Sequence, residues 1–276
     1  MTETVRTIAF IGATSGLGRA AADKLAQDGH KLVLVGRNPK RVERLAKQLP
    51  TAVVIGADVS TIAGIDQAAT QIESAVHHLD ALVNNAGVMI PTRQTTSEGA
   101  ELNFAVHHLA PYSMTSRLLP LLHAGSGRVV NVNSEGHRAP LLGGGLVSID
   151  LDDLNMERGY EPFLAYSRTK LANLLFTYEL QRRHPELSVV AVHPGMVRTD
   201  LGRHWPRIQV AAMHAMSISA RKGAEPVVTL ATAPAVEPGA YYNRFTPTRS
   251  SSESYDTDVA RRLWEVTETL WGPFGQ

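Results

Sequence analysis

The amino-acid sequence predicts an α/β fold: a doubly wound parallel sheet of about seven strands, with helices on both faces, in a single domain. Three observations lead there. Short runs rich in Val, Ile and Leu recur along the chain, and they are continuous rather than alternating, as in strands buried on both faces. Longer amphipathic segments separate these runs, so successive strands are joined by right-handed crossovers. The first run also ends directly in a glycine-rich turn. A chain of 276 residues is long enough for one such domain, and no linker-like stretch divides it.

The elements follow in order. Residues 7–11 form the first apolar run, and residues 17–28 read as a helix stopped by Gly29. Residues 31–35 are a second run, followed by a charged helix from about 39 to 48. Residues 52–56 are a third run, and 80–83 a fourth after a helix reaching about His78. Residues 128–132 and 187–193 are the fifth and sixth, and 239–242 a candidate last strand. Gly143 to Gly145 and Ser250 to Ser252 read as loops. The tail, with Val259, Leu263, Trp264, Val266 and Leu270, reads as an amphipathic helix that packs on the body or on a partner subunit.

Composition narrows the function. Hydrophobic residues at 43% and charged residues at 19% describe a globular chain, not a disordered one. A formal net charge of +1 gives no electrostatic reason to expect a nucleic-acid partner. With no cysteine, disulfides, thiolate nucleophiles and cysteine-ligated metals are excluded, and a reducing cytoplasm fits. The N-terminus carries no apolar signal core, and no stretch approaches the ~18 apolar residues of a membrane span. The expectation is a soluble cytoplasmic protein. The chain has 11 histidines, yet the pairs His77-His78 and His107-His108 are adjacent and no HExxH spacing occurs, so no metal site is expected.

Gly12-Ala13-Thr14-Ser15-Gly16-Leu17-Gly18 lies between the first run and the first helix. Glycines allow a tight turn and close backbone approach, and a helix N-terminus offers unpaired N–H groups to a pyrophosphate. The alternative is a plain tight turn. After the second run a carboxylate would hold the ribose 2′-hydroxyl of NAD. Here Arg37 and Asn38 stand instead, with Lys40 and Arg41 nearby. A guanidinium fork suits a 2′-phosphate, which favours NADP(H) over NAD(H). An ordinary solvated loop arginine is the other reading.

Tyr166 and Lys170 are four residues apart, so on a helix they share one face. A free phenol has a pKa near ~10, and a neighbouring ammonium should lower it toward working pH. Tyr166 is therefore the candidate proton donor and acceptor. A half-buried Tyr beside a solvated Lys is the bland alternative.

These features, with Asp58-Val59, Asn84-Asn85-Ala86-Gly87, Ser134 and Pro194-Gly195, occur in one order along the chain. Over nearly its whole length the sequence resembles the short-chain dehydrogenase/reductase superfamily. Residues 166–176 and 193–201 are similar to the branch containing retinol dehydrogenases and carbonyl reductases. The resemblance implies a Rossmann-type domain and specific roles. Ser134 would hydrogen-bond the substrate oxygen, Tyr166 would act as general acid/base, and Lys170 would hold the nicotinamide ribose. Asp58 and Val59 would contact adenine. Asn85, Ala86 and Gly87 would line the cofactor cleft, and Asn84 and Asn85 would tie the fourth strand to its neighbours. Pro194, Gly195, Val197 and Thr199 would hold the carboxamide. The apolar segment at about 200–225 would be a substrate lid, or else a core-facing helix.

Three positions depart from the pattern. Ile11 stands where the family has threonine, and Asn133 replaces a serine beside Ser134; both read as tolerated. His107 aligns with the family's catalytic asparagine, which helps to hold a relay water. It either supports a modified relay or simply packs within a helix. The implied activity is NADP(H)-dependent interconversion of a hydrophobic aldehyde or ketone with its alcohol. The rivals are an NAD-dependent alcohol dehydrogenase and a non-catalytic cofactor-binding sensor. A homo-oligomer, dimer or tetramer, is expected by analogy alone.

Overall fold

The computed structural model describes residues 4–140, 146–198, 200–202, 205 and 217–275. The expected loop at 143–145, Thr199 and most of the expected lid lie outside the described residues.

The first half reads β1 (Thr7–Ile11), α1 (Gly16–Gln27), β2 (Lys31–Gly36), α2 (Pro39–Gln48), β3 (Val53–Gly56), α3 (Ile62–Ala75) and β4 (Ala81–Asn84). Next comes α4, whose α-helical ends Leu102–Phe104 and Ala110–Arg117 flank a π-helical turn, Ala105–Leu109. Then follow α5 (Leu119–His123), β5 (Arg128–Val132), α6 (Pro162–Arg183), β6 (Ser188–His193), α7 (Ala220–Thr232), β7 (Tyr241–Asn243), β8 (Thr246–Pro247) and α8 (Thr257–Trp271).

The strands form one sheet in the order β3-β2-β1-β4-β5-β6-β7-β8. All pairs are parallel except β7 with β8. The order reverses between β1 and β4, which opens a crevice outside the carboxyl ends of these strands. The sheet is one strand larger than expected. β8 is a two-residue exposed strand reached through Arg244 and Phe245, with Arg244 at φ 58 and no glycine in the turn to announce it.

Both faces are covered, which is why the strands need continuous apolar runs. Ile8, Phe10, Leu32, Leu34, Val83 and Val190 point to one face, against Ala21 and Leu25 of α1 and Val227 of α7. Ala9, Ile11, Val33, Leu82 and Val189 point to the other, against Ile65 and Ile72 of α3, Tyr112 of α4 and Phe176 of α6. The tail helix α8 buries Leu263 and Trp264 on the body, beside α6. Among the described residues, no helix is long and apolar enough to cross a membrane.

Candidate active site

The glycine turn is tight enough that side chains cannot enter it. Gly12 has φ 87, and a Cβ there would lie 2.8 Å from the Ala86 backbone. A Cβ on Gly18 would lie 2.0 Å from the Gly12 carbonyl oxygen, and one on Gly36 only 2.1 Å from Thr14 Cγ2. Asn85 Nδ2 donates to that same Gly12 oxygen at 2.9 Å, so the turn is tied to the end of β4. Asn84 Nδ2 donates to Asn131 Oδ1 of β5 at 2.9 Å.

Helix α1 begins in this turn without a side-chain cap and without an acidic residue in its first turn. By contrast, Asn38 caps α2 and Thr61 caps α3. The leading N–H groups of α1 are thus left for an anion in the crevice. At the rim, Arg37 Nη1 lies 3.5 Å from Asp58 Oδ2. Asp58 Oδ1 in turn accepts from Ser60 N at 3.1 Å and from Ser60 Oγ at 2.7 Å.

Across the crevice, α6 carries Tyr166 and Lys170 on one buried face. Glu161 caps this helix at Phe163 N and Leu164 N, and Pro162 opens it. The Ser134 hydroxyl accepts from Gly136 N at 3.1 Å and stands near enough to the Tyr166 phenol to lower its pKa. A Cβ on residue 136 would sit 3.2 Å from Tyr166 Cε1, so any larger residue there would press on the phenol ring. Lys170 Nζ donates to Val132 O at 3.0 Å and lies 5.8 Å from the Tyr166 ring centre.

Burial, more than charge, governs these two groups. It raises the Tyr166 pKa above the usual phenol value, against a smaller lowering by the Ser134 hydrogen bond. It drives the Lys170 ammonium down to about 7. Desolvation is the larger influence on the phenol, and Lys170 does not stand among the influences that lower it.

His107 sits in the π turn of α4, fully buried. Its Nε2 accepts from Val88 N at 3.1 Å, which places the proton on Nδ1, 2.8 Å from Thr169 Oγ1. Thr169 donates to Tyr166 O at 2.8 Å. Burial first, and Lys170 second, hold the imidazole pKa well below its ordinary value. Both ring nitrogens therefore have protein partners, and the ring stands edge-on to Tyr166 at 5.4 Å. Asn133 is likewise a fastener: Nδ2 donates to Lys170 O and Asn173 Oδ1, and Oδ1 accepts from Ser134 N at 2.7 Å.

One cleft of about 990 Å³ gathers these groups. It is lined by Gly12, Thr14, Ser15, Gly16, Leu17, Gly18, Arg37, Asp58, Val59, Asn85, Ala86 and Gly87 on the first side. His107, Ser134, Tyr166, Lys170, Pro194, Gly195 and Val197 line the second. Asn38 is not part of the lining; its side chain accepts from Arg41 N instead. The glycine cradle, the uncapped α1 terminus and the volume of the cleft fit a nicotinamide dinucleotide.

A family profile described as short chain dehydrogenase matches residues 6–146. A Streptomyces sp. (strain C5) protein described as a daunorubicin C-13 ketoreductase is 34% identical over 275 residues, covering 97% of this chain and 93% of its own. The chain belongs to the short-chain dehydrogenase family. Human retinol dehydrogenase 14 is 33% identical over 297 residues, covering 97% of this short-chain dehydrogenase and 86% of itself. A crystallised Mycobacterium Paratuberculosis protein of uncharacterised function superposes with a TM-score of 0.76 at 30% identity, covering 96% of this chain and 92% of that one. More distant chains with the same fold were solved with NADH or NADPH. This short-chain dehydrogenase is thus an oxidoreductase of the type that acts on CH–OH and C=O groups, in the retinol dehydrogenase-like branch.

The cleft of this short-chain dehydrogenase also has walls that the sequence did not announce. Val88, Met89, Phe163 and Met196 line it, beside Trp205, which falls within the expected lid segment. The Trp205 indole donates to Met89 O at 3.0 Å and lies 4.7 Å from the Phe163 ring. His193, at the end of β6, lines it too, and burial pushes that imidazole down to about 4. Only the adjacency of His193 to Pro194 and Gly195 could have pointed to it.

Proposed function

We propose that this short-chain dehydrogenase uses NADP(H) to interconvert a small hydrophobic aldehyde or ketone and its alcohol, with Tyr166 as general acid/base. The observation that carries the reading is convergence. The Ser134 hydroxyl, the Tyr166 phenol and the Lys170 amine meet in one cleft with the glycine cradle. A bound nicotinamide supplies or receives the hydride. Ser134 donates to the substrate oxygen and stabilises charge developing there. Tyr166 gives that oxygen a proton in reduction and takes one in oxidation. Lys170 lies one helical turn away and holds the ribose hydroxyls. Asp58 and Val59 would contact the adenine, and Pro194, Gly195 and Val197 would hold the carboxamide.

The NADP(H) preference rests on Arg37, which stands after β2 where a carboxylate would repel a 2′-phosphate. Such a phosphate would compete with Asp58 for the guanidinium. The apolar walls favour a hydrophobic substrate, and the lack of cysteine fits a cytoplasmic setting. A homo-oligomer is the assembly to look for by light scattering.

The test is an aldehyde and ketone panel with NADPH, run on the native protein and on Tyr166→Phe. Native turnover that falls at least ~100-fold in the variant supports the reading. Tight cofactor binding with no turnover by either protein overturns it in favour of a sensor. By fluorescence titration, NADP should bind at least ~10-fold tighter than NAD, and Arg37→Ala should erase the gap.

A further inference from the structure

Away from the cleft, three metal-type ligands meet that lie far apart in the sequence. His123 ends α5, His184 follows the last residue of α6, and Glu186 stands two residues before β6. Glu186 Oε1 lies 2.9 Å from His123 Nε2 and 3.1 Å from His184 Nδ1. The three ligand atoms all lie within 4.8 Å of one another. Two imidazoles thus converge on a single carboxylate oxygen.

The stretch that bears two of these ligands is held in advance. Leu187 N donates to His184 O at 3.1 Å, closing a tight turn. Gln181 of α6 donates to Leu187 O at 2.9 Å and accepts from Val189 N at 2.8 Å. Ser188 N donates to Gly127 O at 2.8 Å, which fastens the turn to the loop after His123. Preorganisation of this kind lowers the cost of gathering ligands round an ion. The three groups are also partly open to solvent, so an ion can enter and water can complete its coordination.

We propose that His123, His184 and Glu186 bind one divalent transition-metal ion, with zinc as the first choice. Two imidazole nitrogens and one carboxylate oxygen suit zinc, with water at the fourth position. The ion takes no part in the reaction proposed for the cleft. β5 and β6 run from it toward the cleft, and at ~3.3 Å per residue they set it nearly 20 Å away. Bound there, the ion clips the end of α5 to the α6–β6 turn. It also steadies the C-terminal segment, because the Phe274 ring lies 5.4 Å from the His184 ring and 4.8 Å from Trp264.

The test is isothermal titration of tag-free, chelator-stripped protein with zinc chloride, beside a thermal melt. The expected result is one ion per chain with Kd of ~10 μM or below, and a rise in Tm of ~5–10 °C at a hundredfold excess over Kd. His123→Asn and Glu186→Gln, both at partly exposed positions, should each weaken binding at least ~10-fold. They should leave NADPH turnover and the metal-free melting temperature unchanged. No binding at 100 μM zinc overturns the proposal. So does one-to-one binding that survives both substitutions, because the ion then sits elsewhere.

Discussion

Replacing His107 separates a fastener from a proton relay. Its ring carries two buried hydrogen bonds, from Val88 N to Nε2 at 3.1 Å and from Nδ1 to Thr169 Oγ1 at 2.8 Å. In His107→Ala the Val88 N–H loses its partner inside the protein, at about 1–3 kcal/mol, and the second bond adds about 1 kcal/mol. The vacated ring space adds about 1–2 kcal/mol more if the π turn partly collapses. The total is about 3–6 kcal/mol, or ~6–12 °C in Tm for a chain of this size. His107→Asn restores one bond at best and should recover about half of that. The assay pairs thermal melts with kcat and KM for NADPH-dependent reduction. For a fastener, activity falls together with Tm, and both recover partly in the Asn variant. A Tm within ~2 °C of native, with kcat down more than ~100-fold, would refute the reasoning and assign the ring to proton transfer.

Three further outcomes follow from burial. His108 and His193 are both held down to about 4 from 6.5 by burial. The unfolded chain then binds these protons first, so the stabilisation is full above pH ~6.5 and is lost as pH falls toward 4. At pH 5 the loss is about 2 kcal/mol for each group, and urea titrations at pH 7 and pH 5 measure it; Glu101, raised by burial, opposes part of it. Lys170→Met should abolish turnover yet raise Tm by several degrees, because a buried amine depressed to about 7 costs the fold about 4 kcal/mol at neutral pH. A lower Tm would show that the Val132 bond outweighs desolvation. Because the Tyr166 pKa is raised, the phenol stays a donor for carbonyl reduction throughout pH 6 to 8, while alcohol oxidation should climb by up to ~10-fold per pH unit. A flat oxidation profile would sink that argument.

What the sequence disclosed was local chemistry. The glycine turn is a contiguous string at one strand-to-helix junction. Tyr166 and Lys170 share a face by helical period alone, and the two-faced apolar runs mark parallel strands. What stayed hidden depends on residues that only folding brings together. His107 reaches Val88 across 19 residues of chain and Thr169 across 62, and the residue type at 107 cannot say which partners wait for its nitrogens. Asn133 read as a tolerated exchange, yet it fastens the Ser134 loop to α6 at two points. Asn38 read as a cofactor contact because it follows Arg37, but an Asn before Pro39 is also a helix cap, and that is how its side chain is used. The His123, His184 and Glu186 cluster has no linear spacing to recognise, since tertiary packing alone assembles it.

Burial also explains why the proposed catalytic pair, Tyr166 and Lys170, need not be an ion pair. The expectation of an ammonium that acidifies a phenol treats both groups as solvated. Inside this cleft both charged forms are penalised, so the phenol keeps its proton and the amine sheds part of its own. A phenol that stays protonated across the neutral range is a ready donor to an oxygen gaining negative charge. It is a poor acceptor from an alcohol until the medium turns alkaline. The Ser134 hydroxyl lowers the Tyr166 pKa, and Asn133 holds the Ser134 backbone against the helix that carries Tyr166. Asn133→Ala should therefore impair reduction by misplacing Ser134 while leaving the cofactor cradle intact. That result would place the preference for reduction in the packing around the phenol.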